Sequence, residues 1–261
     1  MIFDIKKDLF TLFQKQNIVL SLSYRQIMGE QLAEGLAYTT PLMVGLIDTL
    51  LSNLNMMAYN LLQNSIDEAK GAARVHLIAE RHATDPLKKE MFRHAGDEMR
   101  HSRLFAKMIA NTGYEYEEVP DTKEIERATN AVLEFDDDLY AFICRVHSIE
   151  IRSWVMLRHY LYILGKYPNE NVRAMIPIFE EILDDEIRHV VYTGKWVNKW
   201  LEENGSLAST LSECVAHTNR ETWHDVSSMA NYMVTADRNS DEVPKDFARL
   251  TAGRWERTEQ T

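Results

Sequence analysis

The pentapeptide Asp-Glu-x-Arg-His occurs twice, as Asp97-Glu98-Met99-Arg100-His101 and as Asp185-Glu186-Ile187-Arg188-His189. On a helix, residues three apart project from one face, stacked one turn above the other. Each copy therefore aims a carboxylate and an imidazole at the same point. One Glu-x-x-His alone is weak, because charged helices produce it by chance. Two copies that share the flanking Asp and Arg, 88 positions apart, read as the two halves of one metal site between helices.

The remainder of the chain is patterned for helices. Ten Gly and six Pro in 261 residues leave few breakers. Nearly every segment repeats apolar residues every three to four positions, without strand alternation. This periodicity predicts four core helices at about 65–83, 86–111, 137–164 and 169–203, and a shorter helical linker at about 122–134. Two or three helices precede the core, and one at about 207–234 comes after it. Thr40-Pro41 and Asp85-Pro86 read as helix starts with Pro at the first position. Thr112-Gly113, Gly165 with Pro168, and Asn204-Gly205 read as stops. The expected fold class is all-α, a four-helix bundle with additional N- and C-terminal helices. One domain covers 1–235, and residues 236–261 form a loosely attached tail.

Helix rise selects the partners of the repeated motif. Glu98 stands about 20 Å along its helix from the turn at Asp85, and Glu68 stands about as far before it. Glu80 lies too close to that turn. Glu150 before Gly165 and Glu186 after Asn169 match in height in the same way. Glu150 is also the only acidic residue between Leu139 and Asn169, flanked at helical spacing by Ile143, Val146, Trp154 and Leu157. A carboxylate on such a face is costly unless a cation or hydrogen-bond donors compensate it. The candidate metal ligands are thus Glu68, Glu98, His101, Glu150, Glu186 and His189. Oxygen-rich donors with two imidazoles suit Fe or Mn better than Zn or Cu(I).

Alternatives stay open at three positions. Ser65-Ile66-Asp67-Glu68 also fits a capping box, and Asp67 is an alternative ligand to Glu68. His94, four residues before Glu98, and His147, three before Glu150, are either extra metal ligands or hydrogen-bonded interior histidines. Arg100 and Arg188 lie off the ligand face and read as surface or ion-pairing residues.

One Glu from each of two helices and Glu-x-x-His from each of two others resembles the ferritin-like non-haem di-iron carboxylate proteins, over about residues 64–203. The ligand intervals of 30, 52 and 36 residues resemble those of demethoxyubiquinone hydroxylases. The run His94-x3-Glu98-x2-His101 resembles the extra-His pattern of p-aminobenzoate N-oxygenases, where the third His sits on the other Glu-x-x-His helix. The resemblance implies two Fe ions, or a Mn/Fe pair. It also implies hydrogen bonds from His189 to Asp97 and from His101 to Asp185, which orient the imidazoles. It further implies an O2-dependent oxidoreductase of the monooxygenase type, supplied by an unidentified electron donor. The substrate would be a small or medium, largely apolar molecule undergoing hydroxylation or, for an amine, N-oxygenation. Phe105 stands where ribonucleotide reductase small subunits carry a radical tyrosine, and no rubredoxin-like cysteine pairs occur. The competing reading is a ferritin-like ferroxidase or metal-handling protein with no organic substrate. Beyond the metal ligands, no catalytic residue is legible.

Composition narrows the partners. A formal charge of −11 with no Lys/Arg-rich block argues against nucleic acid. Cys144 and Cys214 are too few and too far apart for a disulfide framework, and a cytoplasmic location is expected. The opening residues lack the uninterrupted apolar stretch of a signal peptide. Residues 41–62 come nearest to a membrane span, but Asp48, Asn53, Asn55 and Asn60 interrupt them, so no integral span is expected. The Met and aromatic residues of 38–62 are expected to pack the core or line a substrate tunnel. A homodimer is compatible with all of this.

Overall fold

The computed structural model describes residues 4–33, 35–114 and 138–235, and among these residues every regular element is helical. Three helices come first: α1 (Ile5–Lys15), α2 (Leu22–Gln31) and α3 (Pro41–Ser52). Each begins on a side-chain cap that takes up an otherwise orphaned N–H. Lys7 N–H donates to Asp4 Oδ1 at 3.0 Å, Tyr24 N–H to Ser21 Oγ at 3.1 Å and Met43 N–H to Thr40 Oγ1 at 3.2 Å. Pro41 fills the first turn of α3, where its missing N–H has no helical partner to lose.

The long helices come next. α4 (Leu54–His82) and α5 (Leu87–Met108) form a hairpin, and a 3-10 turn over Ile109–Thr112 ends α5 at Gly113, whose φ of 80° needs a residue without Cβ. α6 (Leu139–Leu164) starts on Asp138, whose Oδ1 accepts from Tyr140 N–H at 2.9 Å. A short α7 (Glu170–Arg173), then α8 (Ile176–Glu203) and α9 (Ala208–Thr235), complete the described chain.

Two boundaries differ from expectation. α4 begins at Leu54 and not near Ser65, because Asn53 interrupts the apolar run of 41–62 and caps the first turn of α4. Its Oδ1 accepts from Asn55 N–H at 3.0 Å and Met56 N–H at 3.1 Å. Ser65 is therefore mid-helix, with its Oγ 3.3 Å from Ser102 Oγ, and the capping-box reading of Ser65–Glu68 is overturned. The expected helix at 169–203 comes in two pieces, with Pro177 in the first turn of α8. Proline cannot supply the i→i−4 hydrogen bond of a helix interior but is tolerated where a helix starts. The linker expected at 122–134 and the tail at 236–261 lie outside the described residues.

Side-chain contacts give the directions of the long helices. Residues 65, 76 and 88 meet 102, 92 and 80 respectively, so α4 and α5 are antiparallel. α6 and α8 are antiparallel as well: Tyr140 meets Trp200 at the Leu139 end of α6, His147 meets Thr193, and Tyr160 stacks on Phe179 at 5.3 Å. α5 then runs against α8, with Phe105 edge-on to Phe179, and Tyr160 of α6 donates to Asn60 Oδ1 of α4 at 2.6 Å. These four helices enclose one interior.

The remaining helices cover it from outside. Asn198 on α8 accepts Ser21 N–H at 2.7 Å and donates to Val19 O at 3.2 Å, fixing the α1–α2 connection. α9 holds the turn before α3, where Ala37 N–H donates to Asn219 Oδ1 at 2.8 Å. No helix among the described residues is long and apolar enough to cross a membrane.

Candidate metal centre

Four helices each bring acid or imidazole groups to the interior. α4 supplies Glu68, α5 supplies His94, Glu98 and His101, α6 supplies Glu150, and α8 supplies Glu186 and His189. They fall into two groups that could each hold a metal ion, one of His94, Glu98, Glu150 and His189, the other of Glu68, Glu98, His101 and Glu186. Within each group the donor atoms all lie within 4.8 Å of one another, and Glu98 belongs to both. All but the half-buried Glu68 are buried, and His101 is fully so. Glu68, and not the adjacent Asp67, joins the donor set.

The inner nitrogens of two imidazoles explain why this is more than a charged interior. His101 Nε2 faces Asp185 Oδ2 at 3.1 Å, and His189 Nε2 faces Asp97 Oδ2 at 3.4 Å. A carboxylate only accepts, so each ring turns its N–H outward and presents Nδ1 inward. His101 Nδ1 lies 3.4 Å from Glu186 Oε1 and 3.8 Å from Glu98 Oε2. His189 Nδ1 lies 3.1 Å from Glu98 Oε1 and 3.5 Å from Glu150 Oε2. Despite this proximity neither Nδ1 makes a hydrogen bond, and neither does Glu186 Oε2. Donor atoms that converge without bonding one another aim at a shared point, which is the geometry a cation requires and a hydrogen-bond network does not.

The outer side of the motif is an ion-pair lattice. Arg188 pairs with Asp97 at 3.1 Å and also with Asp185, while Arg100 reaches Asp185, Glu181 and Asp97. The arginines read as off the ligand face thus hold the aspartates that hold the histidines. This accounts for the whole pentapeptide recurring, and not only its Glu and His.

Charge within the cluster is unevenly shared. Burial, then the charge and hydrogen bond of Glu98, push the Glu68 carboxyl well above the usual range. Burial, then the charges of Glu150 and Glu98, do the same to Glu186. For Glu98 and Glu150 burial also pulls upward, but Glu68 and the surrounding imidazoles hold Glu98 low, and His94 and His189 hold Glu150 low. Burial and the charge of His189 pull the His94 imidazole down, but Tyr192 and Glu150 hold it well above its ordinary value. Burial likewise pulls His189 down, and its hydrogen bond to Asp97 with the nearby carboxylates of Glu150 and Glu98 outweighs it. Protons shared in this way are what a bound cation displaces.

His94 joins the first group, with Nε2 2.8 Å from Glu98 Oε1 and 3.4 Å from Glu150 Oε1. His147 does not join either group, and its reading as an extra ligand is overturned. Its Nε2 meets Tyr24 Oη at 2.6 Å and its Nδ1 meets Thr193 Oγ1 at 2.9 Å, so both nitrogens are taken by hydroxyls of α2 and α8. Burial drops its pKa to about 3, which keeps it neutral. Tyr192, absent from the sequence-derived set, also belongs to the site, with its Oη 2.7 Å from His94 Nδ1. Its position three residues after His189, on the ligand face, is the signal that could have found it.

Comparison with protein-family models, with curated proteins and with solved structures found no match for the chain.

Proposed function

We propose that the chain is a non-haem dimetal oxygenase of the ferritin-like kind. Glu68, Glu98, His101, Glu150, Glu186 and His189 hold two Fe ions, or a Mn/Fe pair. The reaction uses O2 to oxidise a small or medium, largely apolar organic substrate, by hydroxylation or N-oxygenation. The observation that carries this reading is the pair of donor groups sharing Glu98, with Nδ1 of His101 and of His189 turned inward and unbonded. The two antiparallel helix pairs support it too, with single carboxylates on α4 and α6 and Glu-x-x-His on α5 and α8.

A reduced metal pair held by these residues would supply the electrons for O2 reduction, a redox capacity that acid and imidazole side chains lack. The chain's own residues set the conditions. Asp97 and Asp185 fix the ring orientation of His189 and His101, so that the lone pair on each Nδ1 faces inward. Arg100 and Arg188 neutralise those aspartates from the outer side. Burial pulls the Asp97 carboxyl up, and the hydrogen bond from His189 with the charge of Arg100 holds it below the ordinary range, an acceptor at neutral pH. Ile143, Trp154 and Leu157, within two turns of Glu150 on α6, are buried. Phe105, buried against Phe179, puts no phenol one turn beyond His101, which disfavours a stored tyrosyl radical there. Two buried free cysteines fit a reducing compartment, the cytoplasm, where an electron donor would be met.

The test is to load metal-free protein anaerobically with Fe(II) and admit 18O2 with arylamine and apolar hydrocarbon probes. The oxygenase reading expects about two ions per chain and label in an organic product. Fe(II) oxidation with label only in water or peroxide would establish the ferroxidase alternative. Failure to retain any metal would remove both.

A further inference from the structure

The two donor groups differ in composition, and the difference is His94. Without it, each would hold one imidazole, beside two carboxylates in one group and three in the other. With it, one group has two imidazoles and the other has one. His94 shares the outer brace of the other two rings. Its outer nitrogen, Nδ1, is braced at 2.7 Å by Tyr192 Oη, as Asp97 braces His189 and Asp185 braces His101. Its inner nitrogen, Nε2, hydrogen-bonds Glu98 Oε1 at 2.8 Å and lies 3.4 Å from Glu150 Oε1, a proton position that a cation would take over. Its ring stacks on that of His189, with centroids 3.8 Å apart and planes 26° apart, so the two inner nitrogens sit side by side. An outer partner that locks the ring while the inner nitrogen faces carboxylates is the arrangement of a metal-bound histidine. The unbonded Nδ1 of His189, on a side chain 2% exposed, points into the same group.

We infer that the two metal positions are chemically unlike: His94, His189, Glu98 and Glu150 form a two-imidazole position, and Glu68, Glu98, Glu186 and His101 form a carboxylate-rich one. This rests on the dimetal reading above and deepens it. Imidazole favours the later divalent ions, whereas carboxylate suits Mn(II) and Mg(II). The two-imidazole position therefore takes Co(II) or Fe(II) first, and the carboxylate-rich position is where Mn(II) competes best. Glu98, common to both, ties the second loading step to the first. Tyr192 acts here as a positioning residue. Its phenol accepts the Nδ1–H of His94 when Nε2 is the donor to metal, a role that phenylalanine cannot fill.

The test uses the metal-free full chain titrated with Co(II), monitored by visible absorption and by proton NMR of the paramagnetic forms. Each coordinated imidazole contributes one exchangeable, strongly shifted N–H signal. Two such signals are expected with the first equivalent, from His94 and His189, and a third with the second equivalent, from His101. His94→Ala should lose one signal and weaken the first ion by ~100-fold, the upper end of the loss seen when even an outer partner of a metal histidine is removed. Tyr192→Phe, which keeps the ring in place, should weaken the first ion by ~10-fold and leave the second unchanged. A single N–H signal at the first equivalent, or wild-type affinities in His94→Ala, overturns the inference while leaving a dimetal centre standing. Should His94→Ala fail to fold, an unchanged first-ion affinity in Tyr192→Phe overturns it equally. Absence of any Co(II) uptake by the unmodified chain removes the dimetal reading and this inference together.

Discussion

Asp185 is a residue whose effect is felt one bond away. It touches no other member of the two donor groups except through His101 Nε2, yet that contact decides which nitrogen of the ring faces inward. Asp185→Asn keeps the shape but offers an amide whose N–H2 group competes to face the imidazole. The ring then has no fixed tautomer. Metal affinity is expected to fall by 10–100-fold, measured by competition with a chromophoric chelator. Asp184→Asn, on the exposed neighbour, should leave affinity unchanged. His147 offers a second test at this scale, through pH. It has a folded pKa of about 3, against 6.5 when unfolded, because burial penalises its charged form. Between these values the unfolded chain binds a proton that the folded chain does not, so stability falls as pH drops from 6.5 towards 3. The slope is roughly 1.4 kcal/mol per pH unit from this one group. Urea midpoints across that window should be flatter for His147→Gln, and coincident slopes would show that the ring is not held neutral.

At the scale of helices, what can be read from the chain is what a single helix determines. Glu98 with His101, and Glu186 with His189, share a face by spacing alone, and counting helix rise from the turn at Asp85 pairs Glu68 with Glu98 without any knowledge of contacts. What cannot be read depends on residues far apart in the chain. By spacing His147 is as able to reach inward as His94, but Tyr24, 123 positions away, and Thr193, 46 away, occupy its nitrogens. The start of α4 is misleading in sequence because Ser65-Ile66-Asp67-Glu68 satisfies a local capping pattern, while the helix has already begun at the equally local signal of Asn53. Gly194 shows the same limit. Nothing in its neighbours marks it, yet a Cβ there would lie 2.4 Å from Phe13 Cζ and 2.8 Å from His147 Cε1. The aromatic ring of α1 and the imidazole of α6 both press on α8 at this point, so Gly194 permits a three-helix contact. Gly194→Ala gains helix propensity but must displace rigid rings. Overpacking of this kind costs ~1–3 kcal/mol, which chemical denaturation would detect. A neutral or stabilising result would mean that α1 is not seated against α8 as described.

For the molecule as a whole, the centre sets folding and metal binding against each other until an ion arrives. Glu68, Glu98, Glu150 and Glu186 come from four helices, and burial first, then the charge of the neighbouring carboxylates, raises Glu68 and Glu186 above their ordinary range. Without a cation this burial and repulsion work against the closure of α4 and α5 onto α6 and α8. With one, the same groups become the strongest tie between the two hairpins, since every ion would be held by residues from both. An ion that binds only the folded chain stabilises it by ~2.7 kcal/mol at a hundred times its dissociation constant. For a chain of this size that corresponds to roughly 5–10 °C in melting temperature. Added Fe(II) or Co(II) should therefore raise the thermal midpoint, and a chelator should return it. Glu150→Ala separates the effects of charge and of ligand. It removes one repelling carboxyl, so the metal-free midpoint should not fall by the amount a cavity alone predicts. It also removes the α6 ligand of the two-imidazole position, so the rise on adding metal should shrink, with the ion of that position weakened or lost. If Glu150→Ala kept the full metal-dependent rise, α6 would not take part in the centre, and the two hairpins would be joined by packing alone.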